Sequence, residues 1–119
     1  MDPFQENFLV ALPDGMIAND GSFKNVPAGK LAVIEHVSVH VVGSGAANAL
    51  YFYSSVISGT VWSEAPIFVT QAGAGAVIGS HPCRAYGGPG TEFGVVVRRN
   101  NLAGAVTANF VLAGYYTPA

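Results

Sequence analysis

Apolar and polar residues alternate along this chain in short runs rich in Val, Ile, Phe, Tyr and Thr. A period of two is typical of β-strands, whose successive side chains point to opposite faces of a sheet. In the clearest run, residues 31–42, one face would be formed by Leu31, Val33, Glu35, Val37, Val39 and Val41. We expect this face to lie in the core and the even-numbered face to be semi-polar.

Clusters of Gly, Pro, Asn and Asp separate these runs, which is the pattern of β-sandwiches and barrels. The eight predicted strands are Asn7 to Leu12, Gly21 to Val26, Lys30 to Val42, Asn48 to Ile57, Ile67 to Gln71, Ala76 to Gly79, Thr91 to Arg99 and Ala105 to Tyr116. Eight strands in 119 residues favour an all-β fold, a two-sheet sandwich resembling a jelly roll. This length suits one domain over residues 1–119.

The last predicted strand is apolar or small on both faces, unlike a strand that has one side in water. We therefore expect it to lie at the centre of a sheet or to be covered by a partner. Val111, Ala113 and Tyr115 on this strand are candidate interface residues.

Charged residues make up only 10% of the chain, against about 25% in typical soluble domains, and the net charge is -2. This balance disfavours nucleic-acid binding, which needs a basic surface. No stretch offers the roughly 20 consecutive apolar residues of a membrane helix, and we expect no signal peptide. The single cysteine, Cys83, cannot form an intramolecular disulfide, so the cellular compartment stays open.

Because the chain has so few charged residues, much of the surface of a domain of this size must consist of small and apolar side chains. A contiguous apolar patch on a surface usually marks an interaction site. The leading hypothesis is therefore a non-catalytic structural or interaction module that self-associates into a homo-oligomer or a larger assembly.

The aromatic residues support a second hypothesis, a lectin-like module that binds carbohydrate. Alternation places Tyr51 and Tyr53 on one face of a strand and Phe52 on the other, with Trp62 in a loop-like segment beyond. If Phe52 points into the core, both tyrosines face outwards, beside Asn48 and Glu64. Exposed aromatic side chains can stack on sugar rings or anchor a protein interface.

A cupin-like metalloenzyme is the third hypothesis, and it finds little support. His36 and His40 would lie on one strand face about 13 Å apart, too far to bind the same metal ion. The His-x-His pair of cupins is absent, and His81 is the only other histidine. We expect no metal, no cofactor and no catalytic residue.

Two further side chains need an explanation. An unpaired carboxylate on the apolar face that contains Glu35 would cost several kcal/mol, so we predict a structural ion pair with Arg98. Lys30 or a histidine is the alternative partner, and a catalytic carboxyl is less favoured. Arg84 could lower the pKa of Cys83 if both were exposed, but a small buried residue in a short strand is the favoured interpretation of this cysteine.

One segment has the form of a turn followed by a strand, Val26-Pro27-Ala28-Gly29-Lys30-Leu31. It resembles an element of small bacterial all-β proteins of uncharacterised function. In that pattern a Phe precedes the turn, here Phe23, a Pro-Gly-Thr turn opens a later strand, here residues 89–91, and Gly-Tyr closes the last one, here residues 114–115. The resemblance implies a jelly-roll-like sandwich and no catalytic residue.

Overall fold

The computed structural model describes residues 2–24, 26–47, 50–73 and 75–119. Within these residues nine strands form, together with one 3-10 turn at Ser44–Ala47. The strands are β1 (Asp2–Leu12), β2 (Ala18–Phe23), β3 (Lys30–Val42), β4 (Leu50–Ser58), β5 (Val61–Ile67), β6 (Thr70–Gln71), β7 (Ala76–Gly87), β8 (Glu92–Arg99) and β9 (Val106–Pro118). Across the described ranges there is no helix long and apolar enough to cross a membrane.

The strands form two antiparallel sheets packed face to face. The five-stranded sheet has the order β1-β9-β3-β7-β6, and the four-stranded sheet has the order β2-β8-β4-β5. Most connections cross from one sheet to the other, which is the winding of a jelly roll. The predicted two-sheet sandwich is therefore confirmed.

The core lies between the inner faces of the two sheets. On β9, Phe110 and Leu112 are buried there, and the Phe110 ring meets Phe52 of β4 edge-on at 6.1 Å between centroids. β9 is hydrogen-bonded on both sides, to β1 and β3. Its lack of charged residues is thus consistent with a central position, one of the two expected explanations.

The strand boundaries differ from prediction at both edges of the five-stranded sheet. β1 begins at Asp2 rather than Asn7, because an edge strand tolerates Pro3. β7 continues through Gly87 rather than ending at Gly79, and only its first residues pair with the two-residue strand β6. The strand predicted from Ile67 to Gln71 is not formed as a unit, since its first residue ends β5 and its last two form β6.

β5 is the strand that the sequence prediction missed, because residues 61–67 had the appearance of a loop. It forms a hairpin with β4 through a two-residue turn, Gly59-Thr60. Gly59 has a φ of 61°, the left-handed conformation required at the first position of a type II′ turn. The start of β4 predicted at Asn48 lies outside the described residues.

The predicted faces of β3 are wrong in its first half. The register shifts between Ile34 and His36: they pair with the consecutive residues Gly114 and Ala113 of β9, so Glu35 is the extra residue of a β-bulge relative to β9. Before the bulge the even-numbered Ala32 and Ile34 face the core, and after it the odd-numbered Val37, Val39 and Val41 do so. Glu35 itself is exposed to water.

Arg99 is 1% exposed and ties three segments of chain together at one end of the sandwich. Its guanidinium donates to the backbone oxygens of Pro13 at 2.8 Å, Met16 at 2.9 Å and Gly104 at 2.6 Å. Asp14 accepts a hydrogen bond from the Gly104 amide at 2.7 Å and joins the same loops. Burial of this charge is thus compensated by carbonyl oxygens.

Candidate functional site

The outer face of the four-stranded sheet brings together the three aromatic residues that the sequence singled out. Phe52 is buried in the core, so Tyr51 and Tyr53 point outwards from β4. Trp62 lies on the same face, on the neighbouring strand β5, where it pairs with Ile57. Trp62 is 55% exposed and Tyr51 is 45% exposed. We call this surface the aromatic face; the sequence-predicted neighbour Asn48 lies outside the described residues.

An ion pair crosses the centre of the aromatic face. Arg98 of β8 donates two hydrogen bonds to the carboxylate of Glu64 on β5, at 2.9 and 2.8 Å. Its guanidinium carbon also lies 5.0 Å from the ring centroid of Tyr53, within range of a cation–π contact. Tyr53 is therefore partly covered, and Tyr51 and Trp62 are the freely accessible aromatic residues.

The charges of this pair stabilise each other. Hydrogen bonding from Arg98 lowers the pKa of Glu64 below its usual value of 4.5, with a smaller contribution from the Trp62 side chain. The same hydrogen bond raises the pKa of Arg98. The two hydrogen bonds from Arg98 to Glu64 hold both charged groups in fixed positions on the aromatic face.

The predicted ion pair between Glu35 and Arg98 is not formed, because the two residues lie on different sheets. Arg98 pairs with Glu64, and the Glu35 carboxylate needs no buried partner because the bulge in β3 places it in water. The charge of Glu35 helps to raise the pKa of Arg84, after the larger contribution of Tyr86. Nothing in the local sequence around Glu64 identifies it as the partner of Arg98.

A shallow hollow of about 230 Å³ lies beside Trp62 on the aromatic face. Its other lining residues are Ala18, Asn19, Asp20, Val96 and Arg98. The Asn19 side chain donates to the Ala11 carbonyl oxygen at 2.7 Å and accepts from the Asp20 amide at 2.9 Å. The backbone that carries Asp20 is therefore held in place.

The outer face of the five-stranded sheet is different in chemistry. We call it the neutral face; its outward-pointing members include Leu9, Val111, Ala113, Tyr115, His36, His40, Ile78 and Tyr86. Among the described residues that point outwards from β1, β9, β3 and β7, the only charged ones are Glu35 and Arg84. Large apolar side chains are nevertheless exposed there, with Leu9 at 74%.

A cavity of about 660 Å³ forms an open groove between the sheets, where β5 and β7 are the bordering strands. Ile34, Phe93 and Leu112 contribute core side chains to its lining, and Cys83 and His81 lie on its wall. Cys83 is half-buried, and this burial raises the pKa of its thiol, outweighing the opposite influence of Arg84. A neutral thiol is a poor nucleophile, so this cysteine is not activated by its surroundings.

The histidines do not converge on one another. His36 and His40 share the neutral face, as their spacing predicted, and the His36 ring lies 3.1 Å from the Ser80 hydroxyl. His81 instead faces the groove. Among the described residues, no three His, Cys, Asp or Glu side chains are close enough together to hold a metal ion.

No family model matches this chain, and no curated protein is significantly similar to it. Solved structures with a similar fold include the pre-peptidase C-terminal domain of a collagenase from Bacillus anthracis, at 11% identity and a TM-score of 0.43, covering 88% of this chain and 87% of that chain. Dimeric latent PorU from Porphyromonas gingivalis is 10% identical with a TM-score of 0.46 and covers 99% of this chain, which spans 13% of that chain.

The core of Drosophila NLP is 15% identical with a TM-score of 0.35, covering 94% of this chain and 98% of that chain. At these values the similarities indicate no shared function. The more specific resemblance of the turn and strand at residues 26–31 to uncharacterised bacterial proteins stays a prediction.

Proposed function

We propose that this chain is a non-catalytic structural module that self-associates through its neutral face into a homo-oligomer. The observation that carries this proposal is the scarcity of charge on that face, where Glu35 and Arg84 are the only charged side chains pointing outwards from the described parts of four adjacent strands. Exposed Leu9, Ile78 and Tyr86 on the same surface supply apolar area that association would remove from water.

The extent of the neutral face fits a stable interface. Four strands spaced about 4.8 Å apart and running for about 40 Å present roughly 700 Å². Standard protein interfaces bury roughly 800 Å² on each partner. The face is thus large enough for one copy to cover another.

A second copy is the occupant that the charges favour. In a two-fold interface every contact occurs twice: if residue i of one copy contacts residue j of the other, then residue j of the first copy contacts residue i of the second. Such an arrangement can place the Glu35 carboxylate of each copy near the Arg84 guanidinium of the other, which neutralises both charges. Val111 and Ala113, small residues on the central strand β9, would then lie in the middle of the contact.

Light scattering behind size exclusion, at two protein and two salt concentrations, tests the proposal. We expect the wild type to have a mass that is a multiple of 12.2 kDa. Ala113→Lys and Val111→Lys should each reduce the mass to that of one chain, because a buried unpaired charge costs several kcal/mol and weakens association more than about 100-fold. Circular dichroism should show that both variants stay folded.

Val61→Lys is the matched control, since Val61 is an exposed valine on a strand of the other sheet. We expect it to keep the wild-type mass. A wild-type mass of one chain at the higher protein concentration would refute self-association, and an unchanged mass in both neutral-face variants would place the interface elsewhere.

A further inference from the structure

We propose that the hollow beside Trp62 binds one neutral pyranose ring of a glycan, stacked on the Trp62 indole and hydrogen-bonded through its hydroxyls to the Asp20 carboxylate. This site is on the sheet opposite the neutral face, so the inference goes beyond self-association and does not depend on it.

Trp62 provides a stacking surface that is fixed before the ligand arrives. The apolar face of a sugar ring, which carries C–H groups, packs on the face of an aromatic ring. Trp62 keeps more than half of its surface in water, and the hollow that it lines also contains Arg98, whose guanidinium is held in place by Glu64. A preformed surface of this kind reduces the conformational entropy lost on binding.

Asp20 provides the hydrogen-bond acceptor. Its side chain is exposed, lines the same hollow as Trp62, and has no hydrogen-bond partner in the described part of the chain. A carboxylate can accept hydrogen bonds from two neighbouring hydroxyl groups at once. The two bonds of Asn19 fix the backbone on which Asp20 stands, so the acceptor has a defined position relative to the indole.

The charges of the aromatic face select against acidic sugars. Asp20, Glu64 and Glu92 point outwards from its strands, and Arg98 is the only cation that does so in the described residues. Both terminal nitrogens of the Arg98 guanidinium already donate hydrogen bonds to Glu64. An anionic sugar would therefore meet a surplus of negative charge with no free cation to pair with it.

The size of the hollow limits what it can hold. Its volume of about 230 Å³ is below the roughly 300–1,000 Å³ of pockets for drug-sized ligands, so it suits a single ring. Tyr51, exposed on the same face, offers a second apolar contact to an adjoining ring. We expect dissociation constants for disaccharides of about 1 mM, typical of a shallow site with few contacts.

Trp62 is the only tryptophan of the chain, so its fluorescence reports on the site directly. The protein is titrated with lactose, maltose, cellobiose and chitobiose as neutral probes, with glucuronic acid as the acidic probe, and with glucosamine as the cationic probe. We expect a saturable change in emission with at least one neutral disaccharide and none with glucuronic acid. No change with any probe at tens of millimolar, or a response to glucuronic acid or glucosamine alone, would overturn the proposal.

Variants then test the assigned roles, with calorimetry as the readout because Trp62→Ala removes the fluorophore. We expect Trp62→Ala to abolish binding and Asp20→Asn to weaken it at least tenfold, with unchanged circular dichroism. Asp2→Asn, at an exposed carboxylate on the other sheet, is the matched control and should bind as the wild type does. Binding that survives Trp62→Ala, or falls equally in Asp2→Asn, would overturn the assignment.

Discussion

The guanidinium of Arg99 is buried among backbone carbonyl oxygens and joins two loops to the end of β8. Gly45 packs directly beside it, and a side chain at that position would approach the Arg99 Nη1 to 2.9 Å. Arginine suits this place because its planar group donates five hydrogen bonds in fixed directions. Lysine has three donors on a single nitrogen and cannot reach carbonyl groups on opposite sides.

We therefore predict that Arg99→Lys lowers the free energy of unfolding by about 3 kcal/mol, because it leaves buried carbonyl groups unsatisfied. Urea denaturation followed by circular dichroism measures this loss. Arg98→Lys, one residue away at a partly exposed ion pair, is the matched control and should cost less than about 1 kcal/mol. Equal losses in the two variants would show that burial of Arg99 does not matter to stability.

The ion pair of Glu64 predicts a dependence of stability on pH. A carboxyl whose pKa is lowered by folding contributes stability above its unfolded pKa, near 4.5, and loses it as the pH falls through the lower folded pKa. The wild type should therefore be more stable than Glu64→Gln at pH 7, by less than about 1 kcal/mol for so exposed a pair, and the difference should be smaller at pH 3, below the unfolded pKa. Urea titrations at both pH values measure it; a difference that grows on acidification would contradict this account.

The hairpin of β4 and β5 positions Trp62 and Glu64, so its turn matters for the whole aromatic face. A Cβ on Gly59 would meet nothing within 4 Å, and the requirement for glycine comes only from its positive φ. Gly88 also has open space around it, but without a positive φ. Because crowding is absent at both positions, a comparison of substitutions at the two glycines isolates the effect of backbone conformation.

We predict that Gly59→Ala lowers the free energy of unfolding by about 1 kcal/mol, since the left-handed conformation disfavours a side chain by about that amount. Gly88→Ala should be neutral or slightly stabilising, because it restricts the unfolded chain without strain in the fold. Thermal unfolding of both variants measures the difference. A stabilising Gly59→Ala would mean that the turn does not need its present backbone conformation.

The bulge at Glu35 sets the chemistry of both sides of β3. It turns Val33 outwards, between Tyr86 of β7 and Tyr115 of β9, while Ala32 and Ile34 complete the core. Gly114, opposite Ile34, permits this distortion, because a Cβ there would overlap the Val33 carbonyl oxygen. The Gly-Tyr pair at the end of the chain is thus explained by strand packing.

The two proposed surfaces lie on opposite sides of the sandwich, so a copy covering the neutral face leaves the aromatic face free. In a dimer joined through the neutral faces, the two aromatic faces point in opposite directions. Such a dimer can bridge two glycan-coated particles, whereas a single chain with one sugar site cannot.

We accordingly predict that the wild type aggregates glycan-coated particles and that Ala113→Lys does not, because the variant has only one site per molecule. Its affinity for a soluble disaccharide should stay unchanged, because one ring contacts one chain. Turbidity of the particle suspension and calorimetry measure the two quantities. Equal aggregation by the two proteins would show that the neutral face does not link the two sites.

Local pattern was enough to predict the architecture. Alternation and turn residues placed most strands and both tyrosines of β4 correctly, because side-chain direction in a strand depends only on neighbouring positions. The strand β5 could also have been recognised from the Gly-X hairpin turn that precedes it, although Trp62 was assigned to a loop-like segment.

The sequence alone therefore determined the all-β class, the two-sheet sandwich and the scarcity of surface charge. Tertiary structure alone decided that Arg98 meets Glu64 rather than Glu35, that Glu35 forms a bulge, and that Asp20 lies beside Trp62. The physical reason is that strand pairing, twist and sheet packing bring together residues far apart in the chain. A period of two specifies which face a side chain occupies, but not which strand lies beside it.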